Sequence, residues 1–436
     1  MSEWKNDVLA NHAYLITKGT TPTSLGKGFK EFGINFIKAE SITNDGKFIP
    51  AAFAFIDEVT HELLKRSQLH YGDILFSIAG VLGRVAIVNN NILPANTNQA
   101  LALIRLSNNS EIEKGFLMYL LKSEFVKEQI RRINVQAAQA NFSLGDINRL
   151  RIQYPEILEQ RRIEKILTIC DTVITQTESA IAKYKAIKQG LLHDLFTRGL
   201  DANGKLRTSY QEAPELYKES DLGMIPKAWE VKRLEELTDK IGSGVTPTGG
   251  SEVYQTSGVL FIRSQNVLVG SLSLDDVAFI TPEIDEKMEG SRVKPYDVFL
   301  NITGASIGRS AYFPKELKSA NVNQHVCIIR FKGISKSLAI YASEFLNSNF
   351  GQNQIYKSIA GGNREGLNFQ QIKSFSFPSI STSEIRGIAK IIELQVNKIQ
   401  TEEALLKKYK LIKRGLMGDL LGGKKNLNNN TDNLCQ

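Results

Sequence analysis

The chain has 436 residues, 42% hydrophobic and 23% charged, with a formal net charge of +8. That length exceeds one ordinary core and predicts at least two domains, while the balance of apolar and charged residues excludes wholesale disorder. No apolar run approaches the roughly eighteen residues of a membrane span, and "MSEWKNDVLANH" lacks a signal-peptide core, so a cytoplasmic chain without membrane contact is expected.

Residues 1–155 carry short apolar runs such as "DILFSIAG" and "LALIRL", punctuated by Gly, Pro and Asn, which are strand and turn signals. Helical patches such as "GFLMYLLKSEFVKEQI" interrupt them, so this globular part is predicted as α+β. Over 156–197 the pattern changes. Apolar or small residues recur at alternating spacings of three and four: Ile163, Ile166, Cys170, Val173, Thr177, Ala180, Tyr184, Ile187 and Leu191. No proline interrupts them, and the spacing predicts one long helix with a heptad seam. Residues 198–225 are polar and turn-rich and are expected to be a linker. A second globular part over 226–378 and a second long helix over 379–422 follow, the latter with Ile388, Tyr409, Ile412 and Leu416 in the same phase. The tail 423–436, "GKKNLNNNTDNLCQ", reads as disordered.

The two halves repeat one another. "KYKAIKQGLLHDL" at 183 returns as "KYKLIKRGLMGDL" at 408, an offset of 225, and Trp4 falls on Trp229 at the same offset. "GDILFSIAGVLGR" ending at Arg84 falls on "YDVFLNITGASIGR" ending at Arg309, with one residue inserted in the second copy. A period this long describes two similar modules in series, not a solenoid. A long helix with one apolar stripe needs a partner, and the duplicated helix provides it. Paired about a pseudo-twofold axis, the two helices are expected to lie antiparallel, with the globular parts at opposite ends.

Enzymatic chemistry is hard to find. His12, His61, His70, His193 and His325 lack metal-ligand spacing, and no Gly-x-x-x-x-Gly-Lys-Ser/Thr loop occurs. Cys170, Cys327 and Cys435 are far apart, which suits a reducing compartment and argues against disulfides and zinc. Gly80 with Gly83, and Gly304 with Gly308, read as tight turns after strands. Asp73 and Asp297 read as turn or capping residues. No catalytic residue and no metal site is predicted.

"DLGMIPKAWEVKRL" opening the second module, the two glycine-turn phrases and "IKQGLLHDLF" closing the first helix together resemble the specificity subunit of type I restriction–modification systems. The resemblance spans essentially the full chain, in the order module, helix, module, helix. It implies two target-recognition domains, each reading half of a bipartite asymmetric DNA site, held apart by two long helices packed as an antiparallel coiled coil. It also implies DNA methyltransferase chains as partners, two of them, carrying S-adenosylmethionine. Where a restriction or motor subunit is present, that subunit uses ATP. This chain itself then needs no cofactor. A coiled-coil scaffold binding protein or glycan partners is the competing reading, and salt-sensitive DNA binding separates the two.

Arg84 and Arg309 after the glycine turns, and Lys38 and Arg263 after short apolar runs, either reach phosphates and guanine edges or are simply solvated or paired. Lys27 and Lys30 in "TSLGKGFK" are another candidate phosphate-contacting loop. "NTNQ" (96–99) and "NVNQ" (321–324) recur in both modules, which favours loop bracing over specificity. "QAAQANFS" and "AGGNREGLN" occupy equivalent loops with different chemistry, so Gln136, Gln139, Asn141, Asn363 and Arg364 are the candidates for base readout. Ile163, Tyr184, Ile187, Ile388, Tyr409 and Ile412 are expected in the helix seam. Gly190 and Gly415 sit mid-helix, where glycine costs roughly 1 kcal/mol relative to alanine. They are expected where another backbone approaches closely, either the sister helix or a methyltransferase chain.

Overall fold

The structure, a computed structural model, describes residues 4–135, 142–317, 319–360 and 366–422. The chain divides into two compact units: Met1–Glu178 with Ala404–Gln436, and Ser179–Glu403. Each is α+β and each contains one globular module and one stretch of both long helices.

In the first unit the apolar runs become strands covered on both sides. The strands Ile74–Ser77 and Leu101–Leu106 lie in a four-stranded antiparallel sheet, in the order Ala13–Lys18, Leu101–Leu106, Ile74–Ser77, Val85–Ile87. Successive side chains point to opposite faces. Ile74, Phe76, Ala102 and Ile104 therefore pack with the helical residues Phe116, Leu120, Val126, Ile163 and Leu167. Leu75, Leu101 and Leu103 face the other way, onto Ile37, Ile42 and Ala95. Ile37 and Ala95 belong to a three-stranded sheet of Ala54–Ile56, Ile34–Ile37 and Ala95–Thr97, whose last pairing is parallel. A ribbon of Lys5–Val8 against Arg151–Tyr154 brings the chain back to the start of the first long helix.

The second unit repeats this plan. Its four-stranded sheet runs Thr238–Ser243, Val326–Phe331, Val298–Asn301, Ser310–Tyr312, and its three-stranded sheet Ala278–Ile280, Val259–Ile262, Ala320–Val322. Val298, Leu300 and Ile329 face helices, while Phe299 and Ile328 face the smaller sheet. Glu230–Arg233 with Ser376–Ser379 repeats the closing ribbon.

One buried ion pair in each module braces the four-stranded sheet, joining the residue before one strand to the strand beside it. Asp73 takes two hydrogen bonds of 2.7 Å from the Arg105 guanidinium and another from the His70 N–H. Asp297 does the same with Arg330 and the Lys294 N–H. The turn role expected for these aspartates is present, but a bidentate arginine accompanies it. Asp73 in turn raises the pKa of Arg105.

The long helices run Ile157–Thr197 and Thr382–Leu421, about 60 Å each at 1.5 Å per residue. Within the first unit they pack antiparallel: Ile163 and Leu167 share a cluster with Leu420 and Leu421, Lys413 meets Asp171, and Lys410 meets Glu178 at 2.7 Å. The second unit is antiparallel too, with Leu192, Leu195 and Phe196 beside Ile388, Ala389 and Ile392, and Lys185 on Glu403 at 2.6 Å.

Three details differ from the expected seam. Ile163 and Ile388 are fully buried and Tyr184 and Tyr409 half-buried, but Ile187 and Ile412 are 46% and 44% exposed. A straight helix drifts about 20° per heptad against a 3.5-residue repeat, so one fixed phase leaves the interface over this length. Gly190 and Gly415 are exposed, and a Cβ added at either meets no atom within 4 Å, so the sister helix does not approach them closely. Finally, residues 198–225 are more than a polar tether. Tyr217–Ser220 and Gly223–Pro226 form a hairpin, and Leu200, Ala213 and Ile225 are buried. Arg207 pairs with Glu384 in the first turn of the second long helix, and that carboxylate also accepts the Leu200 N–H and the Trp229 indole N–H. The polar composition serves turns and an ion pair, which is why it resembled a linker.

Candidate nucleic-acid interface

The glycine turns begin at buried polar residues that end a strand. Ser77 Oγ accepts the Arg84 N–H at 2.7 Å and donates to the Val81 carbonyl at 2.6 Å, closing the turn across Gly80 and Gly83. Both glycines have positive φ, a region that L side chains rarely adopt. In the second module Asn301 does this work, donating to Ser264 O at 2.8 Å and Ser306 Oγ at 3.0 Å across Gly304 and Gly308.

The matched arginines then diverge. Arg84 is held by Asn44 Oδ1 (3.0 Å) and the carbonyls of Ala39 (3.1 Å) and Ile42 (2.9 Å), so its guanidinium braces the neighbouring turn. Arg309 is exposed, and its guanidinium has no partner among the described residues. Equivalent position here does not mean equivalent use.

Lys38 and Arg263 keep a shared geometry. The Lys38 ammonium sits 5.2 Å from the Phe29 ring centroid and 3.5 Å from Glu40. The Arg263 guanidinium lies 5.4 Å from Tyr254, the residue at offset 225 from Phe29, and donates to the Asp276 carbonyl at 2.8 Å. Phe29 packs edge-on against Phe36, and Tyr254 packs at a tilt against Phe261. Each cation is thus positioned by an aromatic face on a rigid strand end. Lys30 is 3.3 Å from Asp57, whose carboxyl is lowered to about 2 by hydrogen bonds from Thr60 and by Lys30. Lys27 is half-buried and unpaired among the described residues. The exposed Phe32 ring lies between Lys30 and Lys38 in sequence, and Tyr14, Tyr71 and Tyr356 are other exposed rings.

The repeated amides are structural. Asn96 donates to Leu64 O and Ser67 Oγ, and Asn321 donates to Asp285 at 2.6 Å and accepts from Ser291. Gln99 pairs with Thr21, and Gln324 with Thr246 at the same offset. The module-specific readout candidates Gln136, Gln139, Asn141, Asn363 and Arg364 lie outside the described residues, as does the tail. The second module alone has His325 on a loop, its Nδ1 2.5 Å from Thr303 Oγ1, where the first has Ala100. The His325/Ala100 difference is legible in the sequence from the offset, and the recurrence of Asp73 and Arg105 as Asp297 and Arg330 is the signal that exposes that pair.

Among the described residues no group of His, Cys, Asp or Glu gathers as a metal site, and no helix is long and apolar enough to cross a membrane. Cys327 is buried in the sheet, which pushes its thiol up to about 12.

The family model for the type I restriction modification DNA specificity domain matches this chain twice, over residues 5–188 and 226–410. The putative type I restriction enzyme MjaX specificity subunit of Methanocaldococcus jannaschii is 28% identical over 240 residues, covering 54% of this chain and 53% of that protein. The chain thus spans about half the length of that relative. The MjaVIII specificity subunit of the same organism is 24% identical over 381 residues, covering 80% of this chain and 85% of that one. Among solved structures, the S subunit of a type I restriction–modification system from M. genitalium is similar in fold, with a TM-score of 0.56 and 16% identity over 96% of each chain.

Proposed function

The chain therefore belongs to the type I restriction modification DNA specificity family, and we propose that it reads a bipartite, asymmetric duplex DNA target and directs methyltransferase partners to it. The chain is itself non-catalytic, as specificity subunits of these systems are. The observation that carries the reading is one frame built twice with different outward chemistry. Sheet order, glycine turns and the buried Asp–Arg pair recur, whereas Arg84 is tied where Arg309 is free, and Lys38 stands where Arg263 does. Shared positions hold each module's shape; differing positions give each module its own half-site. Half-sites one helical turn apart, about 34–36 Å, fall on one face of the duplex.

Two equivalent helix faces remain for partners. Ile187 and Gly190 on the first long helix, and Leu411, Ile412 and Gly415 on the second, are exposed without a neighbour that protects them. Small and apolar residues at matching positions suit two copies of one partner, hence two methyltransferase chains. Those chains hold S-adenosylmethionine, and a restriction subunit, where one is present, uses ATP.

Sequencing of modified bases in a host carrying this chain and its methyltransferase tests the reading. A split, asymmetric motif is expected; a continuous palindrome contradicts it. Binding of the assembled complex to duplex DNA should weaken steeply between 50 and 200 mM salt, by roughly a hundredfold or more. Salt-independent binding points instead to a non-DNA partner.

A further inference from the structure

Lys188 and Lys413 occupy the same place in the duplicated helical phrase, and each is largely buried against a carboxylate. The carboxylates do not correspond. In the first unit Lys413 meets Asp171 on the facing helix, and Asp171 Oδ2 accepts a 2.8 Å hydrogen bond from the Tyr119 hydroxyl of the module. In the second unit Lys188 donates at 2.7 Å to Glu344 Oε1. Glu344 stands at offset 225 from Tyr119, and the residue at offset 225 from Asp171 is Val396. The alignment is fixed by neighbours: Ser123 and Ser348 each accept the N–H four residues on, and Gln129 and Gln354 each bond into the closing ribbon. The negative charge has moved from helix to module, and the neutral residue from module to helix. Each unit keeps one such lysine–carboxylate pair; in the first, the Lys122 ammonium also stands near Lys413 and Asp171 but is held by the Asp45 carbonyl.

We infer that residues 119 with 171, and 344 with 396, are coupled pairs that decide which recognition module each helix pair accepts. The rule follows from burial. A lysine facing both Asp171 and Glu344 leaves one buried carboxylate uncompensated. A lysine facing Tyr119 and Val396 has no anion at all. Either mismatch is expensive, since an unpaired buried charge is strongly destabilising. Tyr119 and Glu344 are almost fully buried and Lys188 and Lys413 largely so, which limits relief by solvent although Asp171 is 28% exposed. Val396 and Glu344 line the same cavity of about 380 Å³, which leaves room for the exchanged side chains. A module moved to the other position therefore keeps its stability there only when residue 171 or 396 changes with it.

Thermal melting of the full chain tests this without reference to DNA. Tyr119→Glu and Asp171→Val each lower the melting temperature, by about 5–10 °C. The double variant, which builds the second unit's arrangement in the first, recovers most of that loss. Glu344→Tyr with Val396→Asp is the reciprocal cycle and recovers likewise. If a single variant does not fold, a folded double variant is the expected rescue. Additive losses in both cycles, or failure of both double variants to fold, overturns the inference. In a chimera carrying residues 226–378 in place of 1–155, adding Asp171→Val raises the melting temperature; no increase counts equally against it. Because these readings are melting temperatures, they can fail while split methylation persists, and the reverse.

Discussion

Arg84 and Arg309 show what a sequence position does and does not settle. Both follow a glycine turn, and the turn was legible because only glycine adopts its backbone angles cheaply. What each guanidinium does was not, because Arg84 finds Asn44 and two carbonyls some forty residues away. Arg84→Ala leaves those acceptors partly unsatisfied and is expected to lower stability by about 1–3 kcal/mol. Arg309→Ala leaves the melting temperature within about 1 °C, weakens DNA binding and reduces the salt slope by about one. Melting curves and DNA titrations at several salt concentrations check the pair; a stability loss from Arg309→Ala contradicts the assignment. Lys122 gives a pH-dependent case. Burial first, then the nearby Lys413, lowers its pKa from 10.5 to about 8, although Asp171 and Asp45 oppose the shift. Its ammonium donates to the Asp45 carbonyl at 2.7 Å. A lysine with a depressed folded pKa binds fewer protons folded than unfolded between pH 8 and 10.5, so its contribution to stability rises with pH across that window. Lys122→Met should flatten this part of the stability profile and gain on the order of 1 kcal/mol at pH 7. An unchanged slope between pH 8 and 10.5 counts against it.

At the scale of elements, periodicity found both long helices and doubled apolar runs found the central strands. Strands buried on both faces read as continuous apolar runs, as "LALIRL" does. Two things were hidden. Drift of the stripe is legible in the second helix, where the phase of Ile388 lands on Gln395, Lys398 and Glu402, but not that it turns Ile187 and Ile412 to solvent, as the mismatch of helical twist and heptad does. The segment 198–225 reads as a tether because its order comes from a distant carboxylate: Glu384 gathers Arg207, Leu200 and Trp229 from well before it in the chain. Glu384→Ala leaves that guanidinium only the Arg198 carbonyl, strands two N–H groups and should cost about 3–5 kcal/mol, seen as a lower denaturation midpoint in urea. By contrast, Gly190→Ala and Gly415→Ala should each stabilise the free chain by about 0.5–1 kcal/mol, since the added methyl meets nothing. If a methyltransferase backbone approaches there, the same substitutions weaken assembly while raising the melting temperature. That opposition of signs distinguishes an interface glycine from a neutral one.

For the whole molecule, duplication makes one copy the control for the other. Positions that agree in residue and partner, such as Asp73–Arg105 with Asp297–Arg330, hold the frame; positions that differ in residue, such as Lys38 with Arg263, or only in contacts, such as Arg84 with Arg309, are free to carry information. That logic was available in the sequence wherever the offset stayed near 225, and it failed only where partners come from different elements, as at Asp171 and Glu344. It also makes a claim about independence. If each module reads its own half-site, a lesion in one leaves the other's reading intact, because sites that share no partners contribute additively. Lys27→Ala should relax or weaken one half of the split motif, and Arg309→Ala the other half. The double variant should show both changes without a further loss of affinity beyond their sum. Mapping modified bases for the three variants checks this directly. A single substitution that degrades both halves equally would show that the modules are read as one continuous surface.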